Sequence, residues 1–188
     1  MLSKEQEILL KLFRDFLADY NSRNLSKIVG ISHAGAFKIL KKLEERKIVK
    51  SKKIGKAVIY SINQENQIAL KEIELDLMIE AQNYKRWLEE FSKLQKEAEF
   101  VILFGSLIKN EKAARDIDLL VVAKKSKFMG IKESINEKNK LLPKKIHLII
   151  QTLEEFRFDI KNNNKTLIEI IKTGIILFGQ DKFVGALK

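Results

Sequence analysis

The amino-acid sequence predicts an α/β protein of the mixed α+β kind, whose two unlike halves are joined by a long helix. Two observations carry this prediction. In the first third of the chain, apolar residues recur at helical spacing and a basic hairpin pattern follows them. In the second half, apolar runs of strand length alternate with helical segments. The predicted parts are residues 1–63, a connecting helix over residues 64–95, and a second domain over residues 96–188. Of the 188 residues, 45% are hydrophobic, which is enough to bury a core.

The first third is predicted to form three helices. Apolar residues recur at helical spacing behind an N-capping serine, which predicts a first helix over residues 3–21, to about Asn21. A short second helix is predicted over residues 25–29, ended by Gly30, which readily adopts a positive φ. Ser32 is a suitable cap for a third helix. This order is helix, turn, helix.

Two short runs of strand length, residues 48–52 and 57–62, surround a basic turn and predict a hairpin. Residues 21–63 contain eleven Lys and Arg against Glu44 and Glu45, a net charge of +9 within a chain of net charge +11. Such a segment favours an acidic partner such as nucleic acid. The alternative is that the lysines only keep the protein soluble.

Two phrases surround the third helix: L-S-K-I-V-G-I-S before it and K-K-L-E-E-R-K-I-V at its end. With them, the stretch from Asn24 to Val49 resembles the winged helix-turn-helix domains of prokaryotic transcription regulators. In such domains the third helix enters the major groove of double-stranded DNA and the wing lies on phosphates or the minor groove. The resemblance implies base-facing residues Ser32, His33, Gly35 and Lys38, and phosphate-facing residues Lys41, Lys42, Lys52, Lys53 and Lys56. A helix-turn-helix used only for protein packing is the alternative.

The connecting helix is predicted over residues 64–95, because apolar residues there are mostly three or four positions apart with charges between them. Winged-helix regulators commonly pair through such a helix. A homodimer seam is therefore one interpretation, and packing against the chain's own second domain is the other.

A strand, a small turn and a second strand carry the chemistry of the second half. The apolar run 100–104 leads directly into Gly105 and Ser106, where backbone N–H groups and a hydroxyl can hold a phosphate. After nine further residues, Asp116 and Asp118 open a second apolar strand and project to the same side. Two carboxylates on one side can share Mg²⁺ ions with the oxygens of a triphosphate.

The pattern L-F-G-S, nine residues, then D-I-D-L-L-V resembles the minimal nucleotidyltransferase family of the polymerase-beta-like superfamily, over roughly residues 98–185. The resemblance implies transfer of a nucleoside monophosphate from an NTP to a hydroxyl. It places Gly105 and Ser106 at the triphosphate and Asp116 and Asp118 at the metal.

One position departs from the pattern of that family, which normally supplies a third carboxylate from a neighbouring strand. The strand expected there, residues 145–150, has His147 at this position. A neutral imidazole is a poor Mg²⁺ ligand and adds no negative charge, although it can act as a base toward an attacking hydroxyl. The sequence leaves open both an active enzyme and a domain that has lost catalysis. Such a domain could keep Asp116 and Asp118 for nucleotide or metal binding, or simply as polar residues that face the turn.

Three functions remain open at this level. The first is a DNA-binding transcription regulator that carries a nucleotidyltransferase-like domain. The second is an enzyme that modifies a protein hydroxyl, as minimal nucleotidyltransferase antitoxins do, which implies a HEPN-type toxin partner. The third is a non-catalytic nucleotide sensor.

The composition of the chain argues against several classes of protein. With no Cys and two His, the chain has neither a disulfide scaffold nor a His-rich metal cage. No apolar run reaches membrane-spanning length and the first residues do not resemble a signal peptide, so we expect a cytoplasmic protein without a membrane partner.

Overall fold

The computed structural model describes residues 2–188 and divides the chain into two compact units. One unit extends up to Ile79 and the other comprises Glu80–Lys188. The boundary lies inside the segment predicted to connect the halves. Within the described residues, no helix combines the length and the apolar character needed to cross a membrane.

The N-terminal unit begins with three successive helices, α1 (Lys4–Arg14), α2 (Ser22–Val29) and α3 (His33–Glu45). A hairpin follows, made of β1 (Val49–Ile54) and β2 (Ala57–Ile62), and then helix α4 (Gln67–Ala81), which crosses the unit boundary. The strands are antiparallel, with Ile54 opposite Ala57 next to the turn. Gly30 ends α2 with a φ of 68°, and the Ser32 hydroxyl accepts a hydrogen bond from the Gly35 N–H at the start of α3. The predicted order of helix, turn, helix and hairpin is confirmed.

Helix α1 ends at Arg14, well before the predicted end near Asn21. The cause is a local network around Asp15, whose carboxylate accepts hydrogen bonds from the Tyr20 hydroxyl at 2.5 Å and from Lys11 Nζ at 2.9 Å. These bonds stabilise a turn where the helix was expected to continue. Asn21 then caps α2 instead of belonging to α1.

The predicted continuous helix over residues 64–95 is wrong, because the segment is divided. Helix α4 ends at Ala81 and is followed by a 3₁₀ turn, Gln82–Tyr84. Helix α5 (Lys85–Glu90) comes next, and a second 3₁₀ turn covers Ser92–Lys96.

The apolar side chains of this segment serve the chain's own cores, as the packing alternative predicted. Trp87, Phe91 and Leu94 are buried in the core of the C-terminal unit, where the rings of Trp87 and Phe91 stack with centroids 6.0 Å apart. Ile73 and Leu77 of α4 are fully buried as well. Any partner contact on this segment must therefore use other side chains.

The C-terminal unit contains a four-stranded mixed sheet in the order β5-β4-β3-β6. Its strands are β3 (Phe100–Phe104), β4 (Asp116–Val122), β5 (Lys145–Gln151) and β6 (Ile175–Phe178). Strand β3 is antiparallel to β4 and β6, whereas β4 and β5 are parallel. The remaining helices are α6 (Ser106–Lys109), α7 (Phe128–Leu141), α8 (Leu153–Lys161), α9 (Lys165–Thr173) and α10 (Gln180–Ala186). The predicted mixed sheet with helices is confirmed.

Both faces of this sheet are covered by packed side chains. Val101 and Leu103 of β3 lie in the cluster that contains Trp87. Phe100 projects to the opposite face, since neighbouring strand residues alternate, and packs edge-on against Phe156 and Phe183 at 5.0 and 5.5 Å. Because side chains are buried on both faces of the sheet, the strand ends that carry the polar residues are held in place.

Candidate functional site

A group of polar side chains lies where β3 ends and where β4 and β5 begin. Antiparallel pairing places Phe104 opposite Asp118, and the parallel register places Asp118 beside His147. Asp116 and Asp118 flank Ile117, which is buried, so both carboxylates project away from the core on one side. The sheet therefore brings together the three residues that the sequence singled out.

The three side chains approach one another closely. His147 Nδ1 lies 3.4 Å from Asp116 Oδ2 and 3.5 Å from Asp118 Oδ1. One donor atom from each residue lies within 4.8 Å of the others. Side-chain exposure is 54% for His147, 33% for Asp116 and 21% for Asp118, so the group is open to solvent on one side. A cation can reach all three donors.

The electrostatics of the group favour a positive charge. Burial raises the pKa of Asp118 above its ordinary value, and the neighbouring Asp116 charge raises it further, while His147 acts in the opposite direction. Two carboxylates this close repel each other when both are ionised. A bound cation would relieve that repulsion.

Gly105 is required by the position of Asp118. Its φ is 81°, a conformation that side-chain-bearing residues rarely adopt, and a Cβ atom at this position would overlap Asp118 Oδ2. Ser106 follows directly as the first residue of α6 and is exposed. The Gly-Ser turn and the Asp-x-Asp strand are thus parts of one site.

A pocket of about 420 Å³ begins at Gly105. Its lining combines apolar, hydroxyl and basic side chains: Phe104, Gly105, Lys109, Lys165, Thr166, Glu169, Ile170 and Thr173. Sequence reasoning missed Lys165 and Thr166, because they belong to no motif and only the fold brings α9 next to Gly105. Lys109 and Lys165 together outweigh the charge of Glu169 in the lining, so the pocket is positively charged on balance.

The donors fit Mg²⁺ only in part. Asp116 and Asp118 offer the carboxylate oxygens that this ion prefers. His147 offers a nitrogen in place of the third oxygen, and imidazole nitrogen suits transition-metal ions better than Mg²⁺.

The residues predicted to face DNA bases lie at the start of α3. Ser32, His33 and Lys38 are exposed, whereas Gly35 is half-buried. Ser32 is also the cap of α3, and His33 Nε2 lies at hydrogen-bond distance, 2.8 Å, from the Ser22 hydroxyl. Three of the four residues therefore have local structural contacts as well, since the bond to Ser32 comes from the Gly35 N–H.

The predicted phosphate-facing lysines are all exposed, namely Lys41, Lys42, Lys52, Lys53 and Lys56. Two of them lie near acidic groups: Lys42 forms an ion pair with Glu5 at 3.2 Å, and Lys41 lies 3.8 Å from Glu44. Among residues 2–188, Lys52, Lys53 and Lys56 of the hairpin form no ion pair. The hairpin thus carries the least compensated charge of the set.

A family model described as "Polymerase beta, Nucleotidyltransferase" matches residues 86–183, slightly more than half of the chain. The chain belongs to this nucleotidyltransferase family, which confirms the resemblance inferred for the second half. The match covers the whole sheet of the C-terminal unit. It begins inside the segment predicted as a connector, next to the buried Trp87.

Solved structures of ZitR from Lactococcus lactis also match. A cysteine-to-serine variant has 18% identity over 71% of this chain and 73% of that chain, with a TM-score of 0.38. A doubly substituted variant in its apo form has 18% identity over 69% and 79%, with a TM-score of 0.35. Likeness at this level does not establish a shared fold. The comparison with curated proteins gave no match.

Proposed function

We propose that this chain is a DNA-binding winged-helix protein that regulates transcription, and that its C-terminal domain binds an NTP with a divalent metal ion. The observation that carries the proposal is the uncompensated charge of the hairpin, in a segment with a net charge of +9. A winged helix presents its third helix and its hairpin to a duplex, and here both carry the exposed lysines.

The packing of α3 supports this orientation. Ala36, Leu40 and Leu43 are fully buried and define the core side of the helix. Lys38 and Lys41 lie on the opposite side at helical spacing. Binding would release counterions from the phosphates that these lysines and the hairpin neutralise, which makes affinity depend on salt.

A fluorescent duplex of mixed sequence tests the DNA part. Changing Lys52, Lys53 and Lys56 together to Ala should weaken binding and flatten the slope of log K against log salt by roughly one unit per lost phosphate contact. The matched control changes three exposed lysines of the C-terminal unit to Ala, Lys124, Lys125 and Lys127, and should retain the wild-type slope. An unchanged slope in the hairpin variant would exclude the hairpin as a DNA contact.

Nucleotide binding is supported by the pocket that begins at Gly105. Lys109 and Lys165 supply positive charge for phosphates, and the Asp116–Asp118 pair lies beside the same glycine. We expect labelled ATP to bind only with a divalent cation, and Asp116→Asn to abolish this metal-dependent binding. Asp181→Asn removes the same charge from an exposed position of α10 and should bind ATP as the wild type does.

A homodimer belongs to the proposal because α4 exposes an apolar face. Ile68, Leu75 and Met78 are 63%, 55% and 45% exposed. Their spacing of seven and three residues places them on one side of the helix, away from the buried Ile73 and Leu77. Large apolar side chains grouped in this way mark an interaction surface.

Transfer of a nucleoside monophosphate to a protein hydroxyl is the second candidate, with a HEPN-type toxin as the expected acceptor. It is favoured by the exposed imidazole of His147, which an acceptor hydroxyl can reach from solvent. With two carboxylates instead of three, we expect slow or absent transfer of labelled AMP and faster transfer after His147→Asp. Brisk transfer by the wild type that falls after His147→Asp would make the imidazole a catalytic group.

A further inference from the structure

The cluster of Asp116, Asp118 and His147 combines two carboxylates with one imidazole, and the pairing of the strands places the three residues side by side. His147 belongs to β5, which is paired in parallel with β4, so the register fixes it beside Asp118. Its neighbours along the strand anchor β5, since Ile146 is buried and Leu148 packs against the core of the unit. The imidazole is part of the sheet edge rather than of a loop.

The distances within the cluster leave room for an ion. Charge-assisted hydrogen bonds between nitrogen and carboxylate are about 2.7–2.9 Å long, whereas His147 Nδ1 lies 3.4 and 3.5 Å from its two carboxylate neighbours. Two donors each about 2.0–2.2 Å from a tetrahedral ion lie about 3.3–3.6 Å apart. The two distances from His147 Nδ1 to the carboxylate oxygens are compatible with donors that share an ion.

The chemistry of the donor atoms then determines which metal ion the cluster prefers. Mg²⁺ takes oxygen ligands in near-ideal octahedral geometry, and imidazole does not suit it. Ions such as Co²⁺ and Zn²⁺ accept imidazole and carboxylate together. We propose that the Asp116–Asp118–His147 cluster binds a divalent first-row transition-metal ion of this kind in preference to Mg²⁺. This inference rests on the proposed metal-dependent nucleotide binding and specifies its metal.

Few other side chains of this protein could give a spectroscopic signal from a nitrogen-bound metal ion. It contains no Cys, and its only other histidine is His33 in the N-terminal unit. Co²⁺ added to the full-length protein should give a visible absorption band from a nitrogen-containing site and should bind roughly 10- to 100-fold more tightly than Mg²⁺ by calorimetry. His147→Ala should remove most of that preference, and His33→Ala should retain it.

His147→Asp provides the opposite test. Because His147 is more than half exposed, the substitution should fold, and circular dichroism checks this. The variant has three carboxylates, so Mg²⁺ should bind more tightly than to the wild type and the preference for Co²⁺ should shrink by roughly tenfold or more. Equal affinities of the wild type for Co²⁺ and Mg²⁺, or a preference for Co²⁺ that survives His147→Ala, would overturn the inference.

The two proposals fail in different ways. If Mg²⁺ supports ATP binding as well as Co²⁺ does, the proposed selectivity for transition-metal ions is wrong, whereas the proposed nucleotide site is retained. If ATP binds with neither ion, the proposed nucleotide site is wrong, whatever the metal titrations without nucleotide show.

Discussion

The two units carry their candidate functions in different ways. In the C-terminal unit, strand register places Asp116, Asp118 and His147 beside one another, and Asp118 lies against Gly105. In the N-terminal unit, positive charge is spread over exposed side chains of α3 and the hairpin, and some of these also make local contacts. The positions of single atoms should therefore decide function in the C-terminal unit, whereas the sum of charges should decide it in the N-terminal unit.

The largest effect is expected from one added methyl group in the C-terminal site. Gly105→Ala places a Cβ against Asp118 Oδ2 at a φ of 81°, and the backbone strain alone costs about 1–3 kcal/mol. We expect a lower free energy of unfolding, measured by denaturant titration, and loss of metal-dependent ATP binding.

The matched change in the N-terminal unit is Gly35→Ala. Gly35 lies in α3 at a negative φ, and its Cβ would come 3.2 Å from Ser32 Oγ, a side-chain atom that can move. Ala is favoured over Gly in helices by about 1 kcal/mol, so the free energy of unfolding should change little or rise. A greater loss of stability in Gly35→Ala than in Gly105→Ala would reverse the contrast between the units.

An intermediate effect is expected on the exposed face of α4, where an interaction depends on apolar area rather than on charge or on one atom. Leu75→Lys with Met78→Lys should convert a dimer into monomers by light scattering, and weaken DNA binding that requires two copies. Lys93→Glu with Lys96→Glu, on exposed positions of the C-terminal unit, serves as the control. Dimers that persist in the double lysine variant would place the contact elsewhere.

The smallest effect concerns Asp76, a second carboxyl whose pKa is raised. Burial is the main cause, the charges of Glu72 and Glu5 add to it, and the hydrogen bond from Gln6 Nε2 opposes it. Because the folded pKa lies above the unfolded one, this residue's contribution to stability is present below the unfolded pKa and is lost as pH rises through the folded pKa.

Asp76→Asn keeps an oxygen for Gln6 and removes the charge. The variant should be more stable than the wild type at pH 7, and this advantage should disappear below about pH 4, in the ordinary range of aspartate. Denaturant titrations of the intact chain at both pH values measure the difference. A variant that is less stable than the wild type at pH 7 but equally stable below about pH 4 would mean that the fold favours the ionised form, and would contradict the raised pKa.

Much of the C-terminal site could be predicted because its signals are local. Glycine and serine at a strand end, two carboxylates two residues apart, and a histidine in the next strand each follow from spacing along the chain. Lys165 and Thr166 could not be predicted, because they reach Gly105 only through the packing of α9. No local pattern marks residues that become neighbours only in the fold.

The segments around the helices show a different limit. Apolar spacing of three and four over residues 64–95 correctly indicated the buried Ile73, Leu77, Phe91 and Leu94, but it also included Ile68, which is 63% exposed. The spacing does not record where a helix ends to follow a core. Likewise, the end of α1 depends on the hydrogen bond between Tyr20 and Asp15, which periodicity does not encode.

The central claim, that the N-terminal unit binds DNA and the C-terminal unit binds nucleotide with metal, is tested most directly by one crossed titration. A fluorescent duplex and labelled ATP with a divalent metal are each titrated with the wild type, with the triple Ala variant of Lys52, Lys53 and Lys56, and with Asp116→Asn. We predict that the triple variant loses affinity for the duplex but binds ATP as the wild type does. Asp116→Asn should lose affinity for ATP but bind the duplex as the wild type does. Loss of both affinities in either variant despite a native circular dichroism spectrum, or of neither affinity in both variants, would contradict this division of function.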